Sequence, residues 1–163
     1  MVRPRRPVPK KMTHTERIAI LIPLAAGAGA VICTILIHGL ALNATLNFIR
    51  RERRLGRTGK SFWTDLLIVA RTISLALVAH LIEIALWAVL FVMCGGFSEF
   101  GTAYYHSAGN YTTLGSGGLI MTPEWRLLGP LEAAIGALMF GVSTAMIFAL
   151  ILRLVEVRYP DLD

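Results

Sequence analysis

The stretch of this sequence best suited to hold an ion is Tyr111-Thr112-Thr113-Leu114-Gly115-Ser116-Gly117-Gly118. It is rich in glycine, carries no charge and lies between two long apolar segments. Backbone oxygens that point at one axis can replace the water around a monovalent cation. Such an arrangement requires positive φ angles at alternate residues, which Gly115 and Gly117 allow. We therefore predict that the backbone oxygens of this stretch bind a monovalent cation, K⁺ or Na⁺, with the Thr113 hydroxyl at the inner mouth. The predicted ion-binding residues are Thr113, Leu114, Gly115, Ser116 and Gly117.

The rest of the chain has the composition of a small membrane protein. Of its 163 residues, 55% are apolar and only 16% are charged, which is far from the average soluble domain. The net charge of +6 is concentrated in clusters that flank the apolar runs. Basic flanks are what membrane topology requires, so we expect a lipid bilayer and no nucleic acid as partner.

The order of apolar and polar segments predicts the elements that position the ion-binding stretch. Helices need about 20 residues to cross a hydrocarbon core of ~30 Å, so the short helix before the stretch enters the membrane without crossing it. The fold class expected is an all-α membrane protein with three transmembrane helices and one re-entrant helix. The predicted segments are a basic arm (1–17), a first transmembrane helix (18–49), a basic cytoplasmic linker (50–61), an outer helix (62–94), the short helix (98–112), the glycine-rich stretch (113–118), an inner helix (123–154) and a tail (155–163).

Residues 62–154 resemble the pore module of the potassium-channel superfamily, in which outer helix, pore helix, filter and inner helix follow one another. The filter motif of that superfamily, threonine-aliphatic-glycine-aromatic-glycine, corresponds here to Thr113-Leu114-Gly115-Ser116-Gly117. The last helix adds Arg126-Leu127, Gly136, Phe140-Gly141 and Thr144-Ala145 at the spacings of simple two-helix potassium channels. With the motif around His80 and Glu83, the chain is similar to small bacterial channel proteins that carry one extra helix before the pore module.

The resemblance implies a homotetramer in the bacterial inner membrane that passes K⁺ through its filter, with a cytoplasmic C-terminus. It implies no enzyme activity and no cofactor besides the permeant ion. We refer to residues 113–118 as the filter segment. Residues expected to support it are Tyr111, Thr112, Gly118 and Glu132. Residues expected to line the inner vestibule or gate are Gly136, Ala137, Phe140, Thr144 and Phe148.

Two of these assignments leave alternatives open. The vestibule residues follow from the three-and-four spacing of one helix face. Gly136 is a hinge by resemblance, or else a small residue that permits tight packing. Glu132 lies at a depth suited to hydrogen bonding behind the filter segment, or else to direct ion binding.

The filter segment departs from the superfamily pattern at two positions. Ser116 stands where selective potassium channels have an aromatic residue, and Gly118 stands where they usually have aspartate. Serine cannot brace the filter, and a loosened filter discriminates less between cations. The sequence thus predicts a cation channel with weak preference for K⁺ over Na⁺, or else a non-selective cation channel. The alternative is a channel-like membrane subunit that does not conduct and acts as an assembly or regulatory partner.

Polar groups elsewhere in the apolar segments also need an explanation. Arg71, His80 and Glu83 lie at membrane depth, where ionisable groups normally face protein or water. They either tie the second helix to the pore loop or a neighbouring subunit, or form a proton or ion relay. His106 is expected to be a packed or hydrogen-bonded residue, or else a proton sensor. Arg50, Arg51, Arg53 and Arg54 are a topology anchor, or else a site for anionic lipid.

The side of the membrane on which the N-terminus lies depends on the first helix. The re-entrant stretch puts residues 60 and 153 on one side, which the basic linker makes cytoplasmic. If residues 18–49 cross the bilayer, the N-terminus is outside, and we favour this arrangement. The alternative is a first helix that lies along the inner surface. Cys33 and Cys94 are expected to be free thiols.

Overall fold

Four α-helices make up the part of the chain that the computed structural model describes, residues 14–115 and 117–159, with side chains from residue 21 onward. No strand occurs in those ranges. Three helices are long and apolar enough to cross a membrane, and the fourth is a short helix between the second and third of them. The expected all-α membrane fold is confirmed. The helices are α1 (His14–Arg54), α2 (Phe62–Met93), α3 (Phe100–Tyr111) and α4 (Leu128–Arg158).

Parts of three predictions lie outside the described residues. These are the basic arm as far as residue 13, Ser116 in the filter segment, and the tail beyond residue 159.

Most helix boundaries differ by one to five residues from those that the sequence predicted, and two of the differences change the description of a segment. The inner helix begins at Leu128 rather than at residue 123, and residues 123–127 form turns. Proline suits the first turn of a helix, and the sequence offers Pro123 and Pro130; the helix begins with the second of them in its first turn. The first helix continues to Arg54, so the basic segment that we predicted as a linker from residue 50 begins as helix. Arginines in that last turn are favourable because they face the negative end of the helix dipole.

The three long helices lie side by side. The indole nitrogen of Trp87 donates a hydrogen bond to Thr34 Oγ1 (3.0 Å), which joins α2 to α1 near one end of the bundle. At the other end, Ile68 of α2 packs with Leu150 and Leu154 of α4. Together with the contacts of His38 with Glu83 and of Ser143 with His80, these contacts make α2 antiparallel to both α1 and α4.

The two ends of the bundle differ in character. The start of α4, the end of α2, α3 and the filter segment lie at one end. At the other end, the Gly59 amide donates to Asp65 Oδ1 (2.9 Å), and Arg158 lies 3.4 Å from Asp65 Oδ2. Because α1 runs along the bundle, its first residues lie at the filter end and its basic last turn lies at the opposite end. This is the geometry that a crossing first helix requires.

Candidate functional site

The filter segment begins as a turn at the C-terminal end of α3. The Thr112 hydroxyl donates to the Ala108 carbonyl oxygen (2.7 Å), and the Thr113 amide donates to the Asn110 carbonyl oxygen (2.8 Å). The Gly115 amide reaches back to the Gly109 carbonyl oxygen (3.0 Å). The segment is thereby anchored to the last turn of α3, which is the negative end of the helix dipole. A cation is favoured at such a place.

Positive φ angles alternate along the filter segment. They occur at Thr113 (+60°), Gly115 (+97°) and Gly117 (+59°), and Gly118 adds a fourth (+92°). The positive φ expected at the first two glycines is therefore present. That of Thr113 was not predicted, because a non-glycine residue in this region loses about 1–2 kcal/mol. Such strain is typical of functional loops.

The described members of the predicted ion-binding set all lie in this exposed loop. Leu114, for example, is 87% exposed in the single chain. Ion coordination by Thr113, Leu114, Gly115 and Gly117 stays a prediction.

Tyr111, the last residue of α3, fixes the start of the filter segment. Its side chain is fully buried, and its hydroxyl donates to Glu83 Oε2 and lies 3.0 Å from His80 Nδ1. Gly136 of α4 packs against its main chain. A Cβ atom at Gly136 would lie 3.1 Å from the Tyr111 carbonyl carbon and closer still to the carbonyl oxygen. The contact supplies a packing reason for this glycine, while its role as a hinge stays a prediction.

Glu132 lies behind the filter segment, against α3. It is fully buried, and the Ser107 hydroxyl contacts its Oε1 atom as well as the Ile84 carbonyl oxygen (2.8 Å). Its Oε2 atom has no hydrogen-bond partner among the described residues. The Glu132 carboxyl thus joins α4 to α3, and through Ser107 to α2, while its support of the filter segment stays a prediction.

The predicted vestibule residues divide into two groups. Ala137, Thr144 and Phe148 are exposed on one side of α4 in the single chain. Phe140 is half-buried instead, with its ring 4.4 Å from that of His80 and 5.5 Å from that of Tyr111. Its backbone shares the face of the other three, but its ring turns into the bundle, and this packing does not favour a gate at Phe140.

A buried cluster joins all four helices next to the filter segment, and we call it the polar ring. His38 Nδ1 lies 3.0 Å from Glu83 Oε1, and His38 Nε2 lies 3.2 Å from Ser143 Oγ. Ser143 Oγ lies 3.1 Å from His80 Nε2, and His80 Nδ1 lies 3.0 Å from the Tyr111 hydroxyl. Tyr111 closes the circuit by donating to Glu83 Oε2. All five side chains are buried.

Sequence reasoning found only part of this ring. It singled out His80 and Glu83, for which we predicted either a structural tie or a proton or ion relay. Their hydrogen bonds to Tyr111 join α2 to the end of α3, as the first of these alternatives requires. It did not identify His38 of α1 or Ser143 of α4 as members of the ring. The sequence shows which polar residues lie inside apolar helices, but it does not show which of them form hydrogen bonds with one another.

The ring contains donor types that also bind transition metals. Ligand atoms of His38, His80 and Glu83 lie within 4.8 Å of one another. Each of these ring nitrogens and carboxylate oxygens already has a hydrogen-bond partner in the ring. The arrangement is therefore that of a closed hydrogen-bonded circuit.

The other singled-out side chains have ordinary packing or surface positions. His106 is buried between the rings of Phe91 (5.4 Å) and Phe97 (4.8 Å), as expected of a packed residue. Arg71 lies 6.0 Å above the Phe48 ring. The four arginines predicted as an anchor or lipid site are exposed at the end of α1: Arg50, Arg51, Arg53 and Arg54.

Comparison with protein families gives one match. The model of the family described as "Ion channel" matches residues 78–153, from the middle of α2 to the last part of α4. The matched region contains α3, the filter segment and most of α4. It supports an ion channel rather than an enzyme. Comparisons with curated proteins and with solved structures gave no match.

Proposed function

We propose that four copies of this chain form a cation pore, in which the filter segments conduct K⁺ with weak preference over Na⁺. The observation that carries the proposal is the alternation of positive φ at Thr113, Gly115 and Gly117, at the negative end of a short helix. The match of residues 78–153 to the Ion channel family supports it. The three long apolar helices supply the membrane-spanning frame.

Assembly follows from the number of oxygens that a bare cation needs. One chain contributes a single row of carbonyl groups, whereas an ion stripped of water needs a ring of oxygens around it. Copies related by a closed rotation supply such rings. The exposed side of α4 with Ala137, Thr144 and Phe148 then lines the vestibule beneath the filter segments.

Weak selectivity follows from the two departures in the filter segment. Ser116 lacks the ring that would brace the backbone. Gly118 has φ +92°, a conformation that L side chains rarely adopt, so an aspartate at this position would be strained. Serine therefore leaves the filter backbone without an aromatic brace, and Gly118 leaves the outer mouth without the usual acidic side chain.

Orientation in the bilayer follows from charge. The exposed arginines at the end of α1 lie at the same end as Arg158, so this end faces the cytoplasm of a bacterial cell. Anionic lipid headgroups are suitable partners for Arg50, Arg51, Arg53 and Arg54 there.

The alternative, a channel-like subunit that does not conduct, has one observation in its favour. The Gly115 amide is bonded to the Gly109 carbonyl oxygen, which holds the filter segment back against α3. A conducting filter must release that bond or keep its oxygens aligned despite it.

Reconstitution distinguishes the two functions. The purified chain is placed in liposomes, its oligomeric state is measured by native mass spectrometry, and K⁺ and Na⁺ tracer uptake is followed with and without barium or a quaternary ammonium ion. We expect a tetramer with cation flux that these blockers reduce. A well-folded tetramer without flux would establish the non-conducting subunit instead.

A further inference from the structure

The polar ring has five hydrogen-bonded links, and each link needs one hydrogen atom. They join Glu83 to His38, His38 to Ser143, Ser143 to His80, His80 to Tyr111, and Tyr111 to Glu83. Neutral imidazoles and hydroxyls contribute one hydrogen each, and an ionised carboxylate contributes none. An ionised Glu83 with neutral partners therefore supplies only four hydrogens. One link would then have two acceptors facing each other.

Charge leads to the same conclusion as the hydrogen count. With four hydrogens the ring carries one negative charge, and Glu83 and Tyr111 are fully buried while both histidines and Ser143 are nearly so. An isolated charge in such a place is strongly unfavourable. One additional proton, shared between His38 Nδ1 and Glu83 Oε1, completes all five links and makes the ring neutral. A sixth hydrogen would put two donors in one link and leave a positive charge.

We propose that the polar ring is a binding site for one proton, and that this proton holds the start of the filter segment in place. Tyr111 belongs to both structures. Its side chain is a member of the ring, and its carbonyl group packs against Gly136, directly before Thr112 and the filter segment. Loss of the proton breaks a link of the ring and loosens the hold on Tyr111. This second half of the proposal rests on the proposed pore function.

The neighbouring titratable groups do not replace the missing proton. Glu132 of α4 is the second buried carboxyl on this side of α3, and it contacts the Ser107 hydroxyl rather than a ring member. The ring itself takes His38 from α1, His80 and Glu83 from α2, and Tyr111 from α3. Every helix packed around the site thus contributes a named group.

Glu83→Gln tests the proton site. The glutamine amide brings its own hydrogen, so all five links close with neutral histidines and no additional proton. For the wild type we expect the thermal unfolding midpoint in lipid nanodiscs to fall as the pH rises from about 6 to about 10. Above the pH at which half of the rings have lost this proton, each further pH unit lowers the ratio of protonated rings, with all five links, to deprotonated rings by up to about tenfold. Glu83→Gln should abolish this alkaline fall, and Glu156→Gln, an exposed carboxyl in a pair with Arg153, should leave it as in the wild type.

Tyr111→Phe tests the link to the filter segment. Without the hydroxyl, His80 Nδ1 still faces Glu83 Oε2 at 3.4 Å, and the shortened ring still lacks one hydrogen. This variant should keep the alkaline fall of the unfolding midpoint. Its tracer flux in liposomes should no longer depend on pH, whereas wild-type flux should decrease several-fold over the same range.

The outcomes separate the proposals. An alkaline fall of the midpoint that is the same in wild type and Glu83→Gln overturns the proton site. Flux that keeps the wild-type pH dependence in Tyr111→Phe overturns the link to the filter segment. If the unfolding midpoints of the variants depend on pH as expected but no variant conducts cations, the proton site is supported and the pore function is refuted.

Discussion

Gly136 has no side chain, and this permits close packing between α4 and the end of α3. The main chain of Tyr111 occupies the place that a side chain at Gly136 would need, so α4 can approach the end of α3 only at a glycine. This close approach sets the distance between the inner helix and the filter segment. A sequence motif marks the glycine, but only the contact shows that it serves packing as well as any bending.

We expect Gly136→Ala to lower the free energy of unfolding by about 1–3 kcal/mol, because the added methyl group meets rigid main chain. Gly39→Ala on α1 is the control, since a Cβ there meets no atom within 4 Å beyond its chain neighbours and the nearby backbone of its own helix. Thermal unfolding of both variants in nanodiscs measures the difference. Equal midpoints would show that α4 and α3 do not pack as closely as described.

Ser116 is the residue that decides selectivity in our proposal. We expect Ser116→Tyr to raise the preference for K⁺ over Na⁺, because an aromatic side chain can brace the filter backbone where serine cannot. The reversal potential with K⁺ on one side and Na⁺ on the other measures the change. A conducting variant with an unshifted reversal potential would refute the bracing argument. Ser116→Thr, which adds a single methyl group, is the control.

At the scale of helices, α1 is part of the bundle rather than an accessory. It packs against α2 and α4, supplies His38 to the polar ring, and accepts a hydrogen bond from the fully buried Trp87 at Thr34. Helices α2 to α4 alone would leave the indole N–H of Trp87 and a carboxylate oxygen of Glu83 without these partners. The first helix therefore completes the polar contacts of the three helices next to it.

We expect Thr34→Val to lower the free energy of unfolding by about 1–3 kcal/mol, because it leaves the buried Trp87 N–H without an acceptor. Thr45→Val is a matched control. Thr34 and Thr45 are both buried on α1, and each donates to the carbonyl oxygen four residues earlier, but among the described residues only Thr34 also accepts a hydrogen bond from α2. A Thr34 variant as stable as the Thr45 variant would contradict the packing of α1 against α2.

At the scale of the whole molecule, the direction of α1 fixes which segments share a side of the membrane. The start of α1 lies with the filter segment, and the segment between α1 and α2 lies with the end of α4. The basic N-terminal arm is consequently attached at the filter end, although its charge alone would favour the other side.

Cysteine labelling in intact cells tests this orientation. In a background without Cys33 and Cys94, we expect Ser98→Cys at the filter end to react with a membrane-impermeant maleimide in intact bacteria. Lys60→Cys at the basic end should react only after permeabilisation, and an N-terminal epitope tag should be accessible from outside. The reverse pattern would overturn the orientation, and an internal tag with an external Ser98→Cys would contradict a crossing first helix.

The sequence by itself determined the class of fold. Long uncharged apolar runs must be helices in a membrane because only a helix satisfies its own backbone there, and a run of a dozen residues cannot cross. The spacing of Gly115 and Gly117 also predicted their positive φ angles, which glycine adopts without steric cost. The ends of the helices were harder to predict from the sequence. For α4, either of two prolines could have stood in the first turn of the helix.

Only the tertiary structure decided which polar residues meet. His38 and Ser143 are 105 positions apart in the chain, and nothing local pairs a polar residue on one apolar helix with one on another. The direction of α1 and the inward turn of Phe140 depend in the same way on packing between helices. Local chemistry selects conformations along the chain, whereas the hydrogen count that predicts a bound proton exists only once five side chains from four helices form a ring.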